Sequence, residues 1–202
     1  MADDVHPVRR TPTIREELQA VTIGAVTPLI GHVELAAYDP AWPEQFEREA
    51  DRIRAALGDR VLRLEHVGST SVPGLAAKPI IDVLLVVSDS SDEATYVPPM
   101  EAAGYVLRIR EPDWHEHRLF KGPDLNVNVH VFPTGCAEIE RMELFRDRLR
   151  ADAVERALYE RTKRELAARD WEFTQEYADA KGVTVEAILA RAHAERDGRS
   201  AE

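Results

Sequence analysis

The chain of 202 residues carries 37 acidic side chains against 26 Lys and Arg, a formal net charge of -11, and 44% of its residues are hydrophobic. That length fits one compact domain with its own core, and two full domains are not expected. The acidic balance argues against bulk nucleic-acid binding, no apolar run is long enough to span a bilayer, and the N-terminal residues lack a secretory signal, so a soluble cytoplasmic protein without a membrane partner is expected.

Residues 1 to about 12 read as disordered, and 13–31 as an amphipathic helix signal broken at Gly24, Pro28 and Gly31. Together 1–31 form an N-terminal arm, partly disordered, and 32–202 a single domain. After an extended piece at 32–37 and a turn at Asp39-Pro40, the spacing of Phe46, Ala50, Ile53 and Leu57 predicts a helix from about Pro43 to Leu57, ended by Gly58. "RVLRLEHV" alternates as a strand, and "KPIIDVLLVV" is a near-continuous apolar strand of the kind buried on both faces. Residues 88–98 read as a polar loop with room for one helical turn, 99–104 as a helix closed by Gly104, and "YVLRIR" as a strand.

The next segment, "EPDWHEHRLFKGPD", is rich in turn residues, and "LNVNVHVF" alternates strictly as a strand. Cys136 follows in a turn and, as the one cysteine, forms no internal disulfide; a structural thiol is the favoured reading. Helical patterns then cover 137–150, 152–170, 171–180 and 184–196. The sheet region is thus about 32–135 and the C-terminal helices about 137–196. A mixed sheet with helices before, between and after it is an α+β or α/β arrangement.

Two strands carry polar residues where a core face is expected. In the strand at 79–87, Asp82 shares its face with Ile80, Leu84 and Val86, and in 125–132 one face holds Asn126, Asn128, His130 and Phe132. A buried carboxylate needs cations, a metal or several hydrogen bonds. Mutual satisfaction of Asp82 and His130 inside the sheet is one reading. The preceding turn, "VGSTSVPG", offers another: Gly68 permits close backbone approach, and Ser69, Thr70 and Ser71 supply hydroxyls for phosphate oxygens.

"YDPAWPEQFEREADRI", "EHVGSTSVPGLAAKPIIDVLLVV", "HRLFKGP", "VNVHVF" and "FRDRLR" followed by "YERTKRELA" resemble the GrpB (UPF0157) family, from about Leu35 to Leu189. The resemblance implies the nucleotidyltransferase (polymerase beta-like) fold: an α+β domain with a small mixed sheet flanked by helices and a C-terminal helical region. It implies a Gly-Ser motif at a helix start, matched by Gly68 and Ser69, that holds a nucleotide phosphate, and strand carboxylates that bind divalent metal. Asp82 matches the first acid, but the second position holds Leu84, and the third falls near Asn128 or His130. A magnesium or manganese cofactor would therefore rest on Asp82, with Glu65 or His130 as the alternative second ligand.

On alternation, Glu65 and His66 lie on opposite faces, so at most one reaches the site. Lys78, before Pro79, is placed to meet a phosphate or neutralise Asp82. "HEHRLFKG" gathers His115, His117, Arg118 and Lys121; with the resemblance, Arg118 and Lys121 become anion-binding candidates, as does Lys163. His115 and His117 have i, i+2 spacing but no evident third ligand. Trp42 and Phe46 are read as sheet cover, and Arg146 and Arg150 as surface charges or the far wall of a cleft. The expected ligand is a nucleotide or another phosphorylated small molecule. Three functions follow: nucleotidyl transfer from a nucleoside triphosphate to a small acceptor; non-catalytic nucleotide or phosphometabolite binding; or group transfer or hydrolysis with Asp82 and His130 as an acid-base pair.

Overall fold

A computed structural model describes residues 15–29, 32–124 and 126–200. The expected disorder of 1–12 and the start of the second polar strand at Leu125 lie outside the described residues. Seven helices, α1 (Arg15–Val21), α2 (Trp42–Leu57), α3 (Glu93–Ala102), α4 (Ala137–Ala151), α5 (Ala153–Ala167), α6 (Thr174–Ala180) and α7 (Gly182–Ser200), surround five strands. The strands are β1 (Arg63–Val67), β2 (Ile81–Val87), β3 (Val106–Glu111), β4 (His117–Lys121) and β5 (Val127–Pro133). They form one mixed sheet in the order β1-β2-β5-β4-β3, in which only β2 and β5 run parallel.

The apolar strand becomes an internal strand of this sheet, between β1 and β5, because every residue but Asp82 is buried on one face or the other. Ile81, Val83, Leu85 and Val87 pack with Phe46, Ala50, Ile53 and Leu57 of α2 and with Tyr96 and Met100 of α3. On the other face Leu84 and Val86 pack with Val67, Phe132 and Ile139 of α4. The helices α5 and α7 close a third cluster, in which Val72 and Leu75, just after the Gly-Ser turn, meet Leu149, Tyr159 and Ile188. The C-terminal helices therefore brace the turn that follows β1.

Several local expectations are corrected. The segment 111–124 is not all turn, because His117–Lys121 pairs with β3 and β5 as an internal strand, four of its five residues buried. The helix expected at 99–104 begins at Glu93 and runs through Pro98 and Pro99. Burial outweighs the lost amide donors there: Tyr96 and Met100, one turn apart, are fully buried, and the Tyr96 hydroxyl donates to the Ser90 carbonyl at 2.6 Å. β2 starts at Ile81, leaving Lys78 and Pro79 in a loop. The arm's described part lies against the domain, with Thr22 bridged to Ile109 and the Leu29 amide donating to Glu172 O at 2.8 Å.

One buried carboxylate is held by a single hydroxyl. Glu49 is 1% exposed and accepts from Tyr105 Oη at 2.6 Å, with Arg52 Nη1 3.5 Å away. Tyr105→Phe should therefore destabilise the domain by about 1–3 kcal/mol, read as a lower urea midpoint at unchanged slope. A midpoint within error of the parent would show that water or Arg52 replaces the bond.

Candidate functional site

The register of the sheet fixes which polar side chains meet. Asp82 lies opposite Val67 on β1 and Asn128 on β5, and Leu84 lies opposite Glu65 and His130. Paired residues share a face, so Asp82, Asn128, His130, Lys121 and Glu65 all project to the α4 side. The Asp82 side chain keeps a quarter of its surface accessible. Asn128 Nδ2 donates to Asp82 Oδ1 at 2.8 Å, Lys121 Nζ donates to Asn128 Oδ1 at 2.5 Å, and His130 Nε2 stands 3.6 Å from Asp82 Oδ1. Burial opposes the charge on Asp82, but the hydrogen bond and charge of His130, the Asn128 bond and the field of Lys181 together hold its pKa below the usual carboxylate range.

Gly68 explains how the turn reaches this carboxylate. Its backbone has φ 69° and ψ -173°, a region essentially reserved for glycine, and a Cβ placed there would sit 2.3 Å from Asp82 Oδ2. The Gly-Ser motif does not open a helix as the resemblance implied; Ser69–Ser71 forms a single 3-10 turn. The hydroxyls divide their work. Thr70, 1% exposed, donates to Ile80 O at 3.0 Å and lies 3.1 Å from His66 Nε2, and Ser71 donates to Gly68 O at 2.6 Å. Both are committed to the turn itself, so Thr70 is not presented to a ligand. Ser69 is half-buried at the head of the turn, beside Tyr159.

Lys78, Lys121 and Lys181 lie within the field of Asp82, and Lys163 lies within the field of Lys181. Lys78 and Lys181 stand over the Tyr177 ring, 5.7 and 4.6 Å from its centroid, and Lys163, 2% exposed, stands 4.9 Å over Tyr159 and donates to Ala76 O. Lys121 joins through Asn128. Burial first, and then the charge of Lys181, push Lys78 down to about 8 and Lys163 to about 7; burial pushes Lys181 itself to about 8 against the attraction of Asp82. Lys181 was absent from the sequence-derived candidates. It follows α6 at the entrance of α7, far along the chain from Asp82, and no local pattern singles it out.

A second polar row continues across the same face. Glu111 Oε2 lies 2.8 Å from His117 Nδ1, and His117 Nε2 lies 3.2 Å from His130 Nδ1. Burial lowers the pKa of His117 to about 4, so at neutral pH its ring is uncharged. The carboxylate can only accept, so Nδ1 of His117 carries the hydrogen and Nε2 accepts from Nδ1–H of His130. In the neutral ring that tautomer leaves His130 Nε2 as a lone pair able to take a proton, and in the charged ring Nε2 carries a hydrogen toward Asp82 Oδ1, 3.6 Å away.

Other expected site residues are placed elsewhere. Arg118 projects to the opposite face of the sheet, 4% exposed, where its Nε donates to Glu93 at 2.6 Å and its Nη2 to Glu116 at 3.2 Å. It does not reach Asp82. Glu65 shares the face of Asp82 but is engaged by Arg146 Nη1 at 2.9 Å. His115, with a positive φ of 55°, sits in the turn before β4 rather than on a strand face with His117. Among the described residues, no three His, Cys, Asp or Glu side chains converge to hold a metal ion. One carboxylate, an amide oxygen taken by Lys121 and an imidazole amid four ammonium groups do not fit a magnesium or manganese pair, which needs several anionic oxygens.

The architecture defines a mixed α+β domain with a cluster of lysines around one carboxylate beside its parallel strand pair. The family model described as "GrpB protein" matches residues 32–191, and the chain belongs to this family, also named UPF0157. A UPF0157 protein of Halalkalibacterium halodurans is 59% identical over 184 residues, covering 91% of this chain and 94% of that protein. The crystal structure of the conserved protein GrpB from Enterococcus faecalis superposes with a TM-score of 0.71 at 31% identity, covering 81% of this chain and 99% of that one. A protein of Mycolicibacterium paratuberculosis named dephospho-CoA kinase is 33% identical over 163 residues, 68% of this chain but 40% of its own length. Among the described residues no helix is long and apolar enough to cross a membrane.

Proposed function

We propose that this GrpB chain binds a nucleotide or related phosphorylated small molecule at the Gly68-Ser69 turn and transfers a phosphorus-centred group from it to a small acceptor. The observation that carries this reading is the convergence of Lys78, Lys121 and Lys181 on one carboxylate, an excess of positive charge that a polyanion would neutralise. The nucleotidyltransferase-like reading of the fold is consistent with the position of Asp82 after the Gly-Ser turn. Leu84 and Asn128 or His130 stand where that class places further acids, so here the phosphate charge would be met by the neighbouring ammonium groups. The likeness to a segment of a protein named for dephospho-CoA adds one phosphorylated compound to the ligands worth testing.

In the transfer step, His130 Nε2 takes the proton of the acceptor hydroxyl as its oxygen bonds to phosphorus. The bond from phosphorus to the leaving phosphate breaks, and that group departs with the electron pair, its charge met by the lysines. The protonated imidazole is held by Asp82, and Glu111 through His117 keeps the ring oriented. A second reading, binding without transfer, is favoured by Leu84 in place of an acid.

Incubation with nucleoside triphosphates or dephospho-CoA and a panel of small alcohols and amines tests both. Phosphate or pyrophosphate release lost in His130→Ala by about 100-fold, with ligand affinity kept, is expected for transfer. Binding without any release selects the second reading, and no binding of any phosphorylated compound overturns both.

A further inference from the structure

The lysine pocket leaves unexplained a second concavity of about 560 Å³ at the β1 edge of the sheet. It is walled by Tyr38, Phe46, His66, Ser71, Arg150 and Arg156 among others, and by none of the lysines around Asp82. The two sites share the turn after β1 but no side chain. A volume of this size is typical of small-molecule sites.

Its charges are unevenly matched. Arg146, 9% exposed, is spent on Glu65 at 2.9 Å and Asp147 at 2.7 Å. Arg150 donates through Nε and Nη2 to Ser71 O, at 3.0 and 2.9 Å, with Asp147 no nearer than 3.8 Å. Arg156 donates to the carbonyls of Leu149 and Arg150, at 2.9 and 3.2 Å, and forms no ion pair among the described residues. Carbonyl oxygens fix the orientation of a guanidinium without cancelling its charge, so both cations are aimed by neutral partners and only loosely opposed, by Asp147 for Arg150 and by Asp152 for Arg156. Burial and the neighbouring charge of Arg146 hold Arg150 below its ordinary pKa, as expected for a cation awaiting an anion.

The opposite wall is flat and apolar. Phe46 stacks on His66 with ring centroids 4.8 Å apart and planes within 4°. Burial keeps His66 uncharged, with its pKa lowered to about 4, and Thr70 meets its Nε2. Tyr38 stands edge-on to Trp42 at 5.4 Å, which fixes it at the rim. Glu47, exposed, is the remaining acid of the lining.

We infer that this concavity is a second ligand site, taking a small aromatic anion whose phosphate or carboxylate meets Arg150 and Arg156 and whose ring lies along Tyr38 and Phe46. The inference does not depend on what occupies the lysine pocket. The Arg150 bonds to Ser71 tie an occupant here to the same turn that carries Gly68 and Ser69.

Phenyl phosphate, benzoate and inorganic phosphate separate ring from head group and phosphate from carboxylate. Titrated into the full chain labelled with 15N, phenyl phosphate or benzoate should shift the Arg150 and Arg156 Nε–Hε signals saturably, equally in the parent and in Lys181→Ala. Arg156→Ala and the milder Arg150→Lys should each weaken that binding roughly tenfold or more, and Tyr38→Ala should weaken the ring-bearing probes but not inorganic phosphate. The stronger aromatic probe identifies the head group. Shifts confined to the lysine pocket, no saturable shift with any probe, or full binding in both arginine variants would overturn the inference.

Discussion

Gly68→Ala should abolish ligand binding at the lysine pocket and cost the domain on the order of 2–5 kcal/mol. Two terms add. A residue with a Cβ at φ 69° and ψ -173° pays about 1–3 kcal/mol in backbone strain. The new methyl would also meet Asp82 Oδ2 at 2.3 Å and Asp82 Cβ at 3.0 Å, and neither β1 nor the internal β2 can withdraw without breaking the sheet. The carboxylate must therefore rotate, giving up Asn128 and His130 together. Against a typical domain stability of about 5–15 kcal/mol this is a large share. Chemical denaturation measures the stability, and calorimetry with a nucleoside triphosphate measures the binding. Adding Asp82→Gly to Gly68→Ala should recover the clash but not the strain, a non-additive result that isolates the contact. If Gly68→Ala binds and unfolds like the parent, the close approach of turn and carboxylate has no functional consequence.

The second large effect is a pH dependence of phosphate binding with a defined sign. Lys78 and Lys181 are pushed down to about 8 and Lys163 to about 7, from an ordinary value of 10.5. Between those values and 10.5 the unfolded chain holds more protons than the folded one, so these lysines cost stability increasingly as pH falls from about 10 to 7. A bound polyanion reverses the balance, because it favours the charged ammonium groups. Affinity for a triphosphate should fall as pH rises from 6.5 to 9, and binding at pH 8 should take up protons. Calorimetry in two buffers of different ionisation enthalpy reads that uptake directly. Lys181→Ala should weaken binding by about 10- to 100-fold and flatten the pH profile, since it removes one charge and relieves Lys78 and Lys163. A site organised around metal ions behaves otherwise: a chelator would suppress binding, and affinity would not fall through this range. Proton release on binding would refute the lysine account.

Much of the framework was legible in the residues because it rests on short-range periodicity. The α2 stripe of Phe46, Ala50, Ile53 and Leu57, the doubly buried strand around Asp82, and the polar row Asn128 and His130 each declare themselves within a few positions. The strand β4 was hidden because "HRLFK" is five residues long and carries polar residues, His117, Arg118 and Lys121, at three of its positions, so neither alternation nor an apolar run marks it. Its burial comes from partners: Arg118 is accommodated inside only because Glu93, on a helix formed despite two prolines, reaches it at 2.6 Å.

The sequence by itself determined the Gly-Ser turn, the strand acid after it and the absence of a second acid at Leu84, since each is a matter of which residue stands where. Only the tertiary structure decided what surrounds that acid. Lys163 comes from α5 and Lys181 from the junction of α6 and α7, both well beyond the sheet in the chain, and the row from Glu111 through His117 to His130 forms only when β3, β4 and β5 pair side by side. Electrostatic character is set by distance in space, and the packing of α4, α5 and α7 against the turn is what adds Lys181 to the His130 and Lys78 that the sequence already offered as partners of this carboxylate.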